Sequence, residues 1–307
     1  MNLIELPPAS LAKLLRTDGL CWRMGPFVIR ARTRVRFVAE QLRFLYSHFP
    51  LVQAPTVVDF DVLVRHKIPL RSWISVLVDG EVIYNWFRSH LALPLFEWAV
   101  NQCIFARPHQ YLMLHSAVVE KHGRAVILPA PPGSGKSTLC AALVCRGWRL
   151  LSDEVALVQP NDALLVPVPR PIGLKEASID VIRRFSPEAA LGPSWPGTPK
   201  GALAHMQPPA DSVQRSHETA RPGWLVFPTY RAGAKAELTS LSKAQGLLRA
   251  ADNAFNYSVL GRTGFEALAR LVDGCGCYEF VYSDLTEAVE HIERLPAPQP
   301  WAMAEAQ

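Results

Sequence analysis

The chain has 307 residues, 49% apolar and 19% charged, with 32 basic against 27 acidic side chains. That composition excludes a disordered or highly solvated chain, and at about 100–200 residues per domain it leaves room for two domains. The excess of five positive charges is spread along the chain without a dense basic block, which disfavours nucleic acid as a partner and suits a phosphate-bearing ligand.

Residues 1–108 read as a smaller α/β domain. Trp22 to Arg32 reads as a strand, and Val35, Val38, Leu42, Leu45 and Phe49 recur at helical spacing. Val58, Phe60, Val62 and Val64 alternate with acidic residues as in a half-buried strand, and Asp79-Gly80 reads as a hairpin turn. A helix is expected from Pro94 to about Ala106.

Residues 109–295 form the second expected domain. It opens with a strand over Tyr111–Glu120, a turn at Lys121-His122-Gly123-Arg124 and the apolar strand Ala125–Leu128. Trp148 to Val155 reads as a strand ending in two carboxylates. From about Ser186 to Pro222 the composition shifts to Pro, Gly, Ser and polar residues, which predicts a long surface loop. Beyond it the pattern predicts a strand at Trp224–Phe227, helices within Leu238–Asn253 and Gly264–Val272, and a strand at Tyr278–Tyr282. A final helix over Asp284–Leu295 is capped by Ser283 or Asp284, and residues 296–307 read as a flexible tail.

The longest apolar stretch, Leu91 to Ala106, is interrupted by Pro94, Glu97, Asn101 and Gln102, so no membrane span is expected. The N-terminus lacks the basic flank and apolar run of a signal peptide, and the six cysteines form no pair of Cys-x-x-Cys motifs. Both observations predict a cytoplasmic protein. Cys275-Gly-Cys277 is read either as a redox or metal pair or as two buried thiols beside a turn.

The sharpest motif is Ala130-Pro131-Pro132-Gly133-Ser134-Gly135-Lys136-Ser137-Thr138, flanked by an apolar strand and a helix to Cys145. Its spacing is that of a Walker A phosphate-binding loop, in which backbone N–H groups cluster at a helix N-terminus and favour polyphosphate. Gly133, Ser134, Gly135, Lys136, Ser137 and Thr138 are the expected nucleotide contacts. Lys136 would reach the β- and γ-phosphates and the Ser137 hydroxyl would sit on Mg²⁺, so ATP and Mg²⁺ are the expected ligands. Asp153-Glu154 follows 17 residues after Lys136, where a carboxylate can hold Mg²⁺ or take a proton. His115 lies on an apolar strand face and by itself reads as a core residue.

The stretch Leu114 to Val155, with Leu114-His115-Ser116, the glycine loop and Arg146 to Glu154, resembles the catalytic core of the HPr kinase/phosphorylase family, and the whole chain is similar to its divergent branch, HprK-related kinase A. The resemblance implies a P-loop kinase core of the HPr kinase/phosphoenolpyruvate carboxykinase-like type. It implies transfer of the ATP γ-phosphoryl group to a hydroxyl, serine in the family, of a small protein or peptide.

By the same resemblance His115 matches the active-site histidine, and Lys136 and Ser137 match the nucleotide and magnesium residues. Asp153 and Glu154 fall on a pair of aspartates, with Asp153 expected as base and Glu154 as a metal ligand. Arg170 matches the arginine of a later motif whose magnesium-binding Glu is replaced by Val168. Lys200, in the branch's Thr198–His205 segment, is read as a phosphoryl clamp or as a solvated lysine; His205 is a weaker candidate. No Arg-Pro-Gly-Arg loop is found, Arg221-Pro222-Gly223-Trp224 being a poor substitute, which points to a kinase without phosphorolysis.

The branch's association with PqqD-like peptide chaperones implies a peptide-linked partner, and the hexamers of HPr kinases imply a homo-oligomer. A small-molecule kinase and an ATP-sensing module without transfer activity remain the alternatives. A GTPase switch is disfavoured by the lack of Asn-Lys-x-Asp.

Overall fold

The computed structural model describes residues 1–67 and 72–297. Of the tail expected at 296–307, residues 298–307 lie outside the described residues; the Pro296 carbonyl accepts a hydrogen bond from Trp224 Nε1 at 2.8 Å.

The chain is mixed α/β and divides into two compact units. The first comprises 1–107, 170–180 and 189–215, and the second 108–169, 181–188 and 216–307. Thus two segments that the sequence reading assigned to 109–295 pack with the N-terminal unit.

The first unit begins with α1 (Pro8–Arg16), β1 (Leu20–Met24), β2 (Phe27–Thr33), α2 (Arg36–Leu45), β3 (Phe60–His66), β4 (Trp73–Val78), β5 (Glu81–Arg88) and α3 (Ala92–Ala106). The strand expected at Trp22–Arg32 is two antiparallel strands, broken at Gly25-Pro26 where Gly25 takes φ +58°. The five strands form one sheet in sequence order. Asp79 and Gly80 turn β4 into β5 with φ of +48° and +88°, the left-handed pair that matches strand twist in a two-residue hairpin. Trp22, Tyr46, Phe49 and Phe96 are buried together, with Trp22 and Tyr46 rings 4.9 Å apart.

The second unit opens with β6 (Leu112–Lys121), β7 (Arg124–Pro129), α4 (Lys136–Cys145), β8 (Arg149–Ser152), β9 (Val155–Val158) and β10 (Leu165–Val166). β11 (Ile172–Lys175) returns to the first unit, and α5 (Ala177–Phe185) follows. The expected loop at 186–222 instead contains β12 (Trp195–Thr198), β13 (Gly201–Met206) and α6 (Ala210–Gln214). β13 pairs with both β12 and β11, burying Leu203, Ala204 and Met206. Proline and glycine density hid these strands, because the partner β11 lies some thirty residues upstream.

The chain closes with β14 (Arg221–Tyr230), β15 (Glu237–Ser240), α7 (Lys243–Ala251), α8 (Tyr257–Leu260), α9 (Arg262–Asp273), β16 (Gly276–Tyr282) and α10 (Leu285–Glu293). Arg221–Trp224 therefore starts a strand. Asp284, one of the two expected caps, accepts the Glu287 N–H at the start of α10.

The eight-stranded sheet of this unit centres on β7, β14 and β16, which are parallel, with β6 antiparallel beside β7. Leu112, Leu114, Ala125, Ile127 and Leu225 pack on Ala250, Ala267, Leu268 and Leu271 of α7 and α9. The alternating Val126, Leu128 and Val226 are equally buried, so the central strands are covered on both faces. Cys275 and Cys277 are free and buried, and burial pushes both thiols above their ordinary pKa. That environment matches the buried-thiol reading of the pair.

Candidate phosphate-binding site

β7 ends at Pro129 and the chain turns through Gly133 and Gly135, at φ +89° and +88°, into α4. Such left-handed geometry is costly for any residue with a Cβ, which explains glycine at both places. At Gly135 there is also no room: an added Cβ would lie 2.4 Å from Tyr282 Oη and 3.0 Å from Tyr230 Cβ. The loop is held from outside by two partners. The Tyr282 hydroxyl donates to the Gly135 carbonyl at 3.0 Å, and the Tyr230 N–H donates to the Ser134 carbonyl at 2.9 Å. Both tyrosines end strands parallel to β7, so the loop sits at the carboxyl edge of the parallel strands, where open α/β sheets bind ligands.

Gly135 caps α4 without a side-chain hydrogen bond, so the first-turn N–H groups are not satisfied by a cap. The lining is polar and underused. Lys136 is 5% exposed, its Nζ makes no hydrogen bond among the described residues, and Ser134 Oγ is buried in the same condition. Ser137 and Thr138 are half-buried. A buried ammonium that makes no hydrogen bond among the described residues, beside uncapped helix N–H groups, leaves donors unused, and an anion of several oxygens fits them.

Asp153 and Glu154 form the bend between β8 and β9, both of which pair with β6. The strand expected to run through to Val155 therefore stops at Ser152, whose hydroxyl accepts the Val155 N–H at 3.3 Å. The bend is anchored to β6 by the Ser116 N–H, which donates to the Glu154 carbonyl at 3.2 Å. This brings Glu154 Oε2 to 3.4 Å from His115 Nε2 and 3.8 Å from Lys136 Nζ. Glu154 is the carboxylate that joins the histidine to the lysine, while Asp153 is 2% exposed beside it. The His115 ring also lies against the Phe255 ring, with centroids 5.6 Å apart, and the His115 backbone N–H donates to the Asn253 carbonyl.

The other two expected site residues belong to the first unit. Arg170 is buried with Glu97, its Nη2 donating to Glu97 Oε2 at 2.9 Å and to the Glu97 carbonyl at 3.0 Å, and its Nη1 donating to Asn101. Tyr46 Oη donates to the other oxygen of the same carboxylate at 2.8 Å. The guanidinium expected to face phosphate is thus committed to a buried network. Lys200 is exposed, with its ammonium 5.1 Å over the Trp98 ring. His205 is buried on β13.

Sequence reasoning missed Tyr230, Tyr282 and Phe255. Tyr282 reads as an ordinary strand residue and Tyr230 lies beyond the strand expected at Trp224–Phe227; only the parallel order of β7, β14 and β16 brings both to the loop. No cluster of three or more His, Cys, Asp or Glu side chains able to hold a metal occurs among the described residues. Mg²⁺, which keeps waters and substrate phosphates as ligands, would need only Ser137 and one carboxylate from the protein.

These features define a mixed α/β protein with a glycine-rich, helix-capping loop at the carboxyl edge of parallel strands. The family described as SynChlorMet cassette protein ScmC matches residues 90–167, about a quarter of the chain, a span that includes the loop, His115 and the acidic pair. No curated protein matches the chain. Among the described residues no helix is long and apolar enough to cross a membrane.

Proposed function

We infer that the chain is an ATP-dependent phosphotransferase of the HPr kinase-like type. The observation that carries this reading is the buried Lys136 ammonium, without a hydrogen bond among the described residues, at the N-terminus of α4 and 3.8 Å from Glu154, which in turn reaches His115. The backbone of Gly133 to Thr138 would hold the nucleotide phosphates, with Lys136 on the β- and γ-oxygens. Mg²⁺, held by Ser137 and an acid of the 153–154 pair, would supply charge neutralisation at the phosphates.

In the reaction the acceptor oxygen forms a bond to the γ-phosphorus, the bond from that phosphorus to the bridging oxygen breaks, and ADP departs. The acceptor proton passes to a carboxylate. Glu154, partly exposed and next to His115, is the better placed base, which reverses the roles expected of Asp153 and Glu154; Asp153 then serves the metal side. Arg170, tied to Glu97, is given a structural role. The acceptor class remains that implied by the family resemblance, a hydroxyl on a small protein or peptide.

The test is transfer from γ-labelled ATP with Mg²⁺ to a lysate of the source cells, comparing wild type with Lys136→Ala, Asp153→Asn and Glu154→Gln. A labelled species reduced about a hundredfold in Lys136→Ala and Glu154→Gln supports the kinase and identifies its acceptor by mass. Nucleotide binding without any labelled product supports the sensing module, a reading favoured by the buried, apolar Val168 at the position of a magnesium ligand. Absence of nucleotide binding overturns both.

A further inference from the structure

The first unit carries a groove of about 280 Å³ lined by α1, α2 and the Thr33–Val35 segment that leads into α2. Its floor is apolar: Leu11, Leu15 and Val35 are buried, and Ala12 and Ala39 complete it. Its charge is one-sided, with Arg16, Arg34, Arg36 and Arg43 lining it against Glu40. Arg16, Arg34 and Arg36 are exposed and form no ion pair or hydrogen bond among the described residues. Arg43 donates through Nη2 to the Ile4 carbonyl, while its Nε is buried without a hydrogen-bond partner among the described residues.

Two of these cations stand where the helix opposes them. Arg36 is the first residue of α2 and Arg34 lies two positions earlier; the helix has no acidic residue in its first turn and no side-chain cap. Positive charge at a helix N-terminus is unfavourable, and an incoming carboxylate would relieve it.

We propose that this groove docks an acidic peptide segment, an apolar side chain entering between α1 and α2 while flanking carboxylates pair with Arg16, Arg34 and Arg36. Charge complementarity selects an anion, and the apolar floor selects one that also carries a hydrocarbon side chain. Single-stranded nucleic acid fits less well because the lining holds no aromatic ring for base stacking. An anionic membrane fits less well because the exposed rim offers only Pro8 and Ala9 as apolar residues to insert.

The proposal is tested on the full chain without nucleotide, so its outcome is separate from that of the phosphotransfer reading. The probe is a fluorescein-labelled peptide of leucines flanked by glutamates, followed by anisotropy, beside its glutamate-to-lysine counterpart, an oligodeoxythymidine and phosphatidylserine vesicles. Saturable binding of the acidic peptide is expected, weakened about tenfold or more in Arg34→Glu/Arg36→Glu and by rising salt. The same double variant removes the repulsion at the start of α2, so its melting temperature should equal or exceed that of the wild type. Arg16→Glu, on the other helix, should also weaken binding. No binding of the acidic peptide, equal binding of the lysine peptide, undiminished binding by the variants, or tighter binding of the oligonucleotide or vesicles overturns it.

Discussion

The Lys136 ammonium lies 3.8 Å from Glu154 Oε2, too far for a hydrogen bond, with only 6% of the lysine side chain exposed. A buried cation held at that distance adds little to stability, since desolvation offsets much of the attraction. Lys136→Met should therefore unfold at the same or a higher temperature than wild type. The stabilisation by ATP and Mg²⁺ expected of the wild type should vanish in the variant. Thermal melts with and without nucleotide check both halves, and a large loss of stability without ligand would show that the lysine is structural.

Gly133 and Gly135 share a left-handed backbone but differ in their surroundings. Gly133→Ala meets no atom within 4 Å and carries only the backbone strain, about 1 kcal/mol. Gly135→Ala adds a collision with Tyr282 Oη and Tyr230 and should cost about 2–4 kcal/mol, with partial relief in Gly135→Ala/Tyr282→Phe. Chemical denaturation of the three variants separates strain from collision.

Tyr282 links pH to the same loop. Burial holds its phenol well above the ordinary range, the nearby Tyr230 adding to the effect. A group whose folded pKa is raised contributes stability fully present below its unfolded value of about 10, and that contribution is lost as pH rises above it. Wild type should lose stability between about pH 10 and 11 more steeply than Tyr282→Phe. At neutral pH the variant should be weaker by about 1 kcal/mol, from the lost hydrogen bond to Gly135. Denaturant midpoints at the two pH values measure both signs.

Arg170 and Glu97 are 7% and 1% exposed, so either alone is an uncompensated buried charge. Glu97→Met and Arg170→Met should each destabilise by about 3–5 kcal/mol, while the double variant should be closer to wild type than either. Transfer activity per folded molecule should survive in the double variant. Loss of that activity with stability regained would return Arg170 to the catalytic set.

Much of the site was legible in sequence because its causes are local. Glycines at 133 and 135 are required by backbone geometry, and Lys136-Ser137 follows at the start of a helix whose apolar residues declare it. The turns at Asp79-Gly80 and His122-Gly123 likewise need only left-handed backbone at adjacent residues.

What the chain's order could not reveal depends on partners far apart in sequence. β12 and β13 exist as strands because β11 pairs with β13, a relation no window around residues 186–222 contains. The contact of Glu154 with His115 and Lys136 follows from a bend pinned between two strands on β6, and neighbouring carboxylates carry no local sign of which way each will turn. Arg170 looked free to meet phosphate until packing set it against Glu97. Local sterics and hydrophobic period thus determined the loop, its helix and the hairpins, whereas strand pairing and the neutralisation of buried charge, which act between distant residues, decided which groups Glu154 meets and which arginine is spoken for.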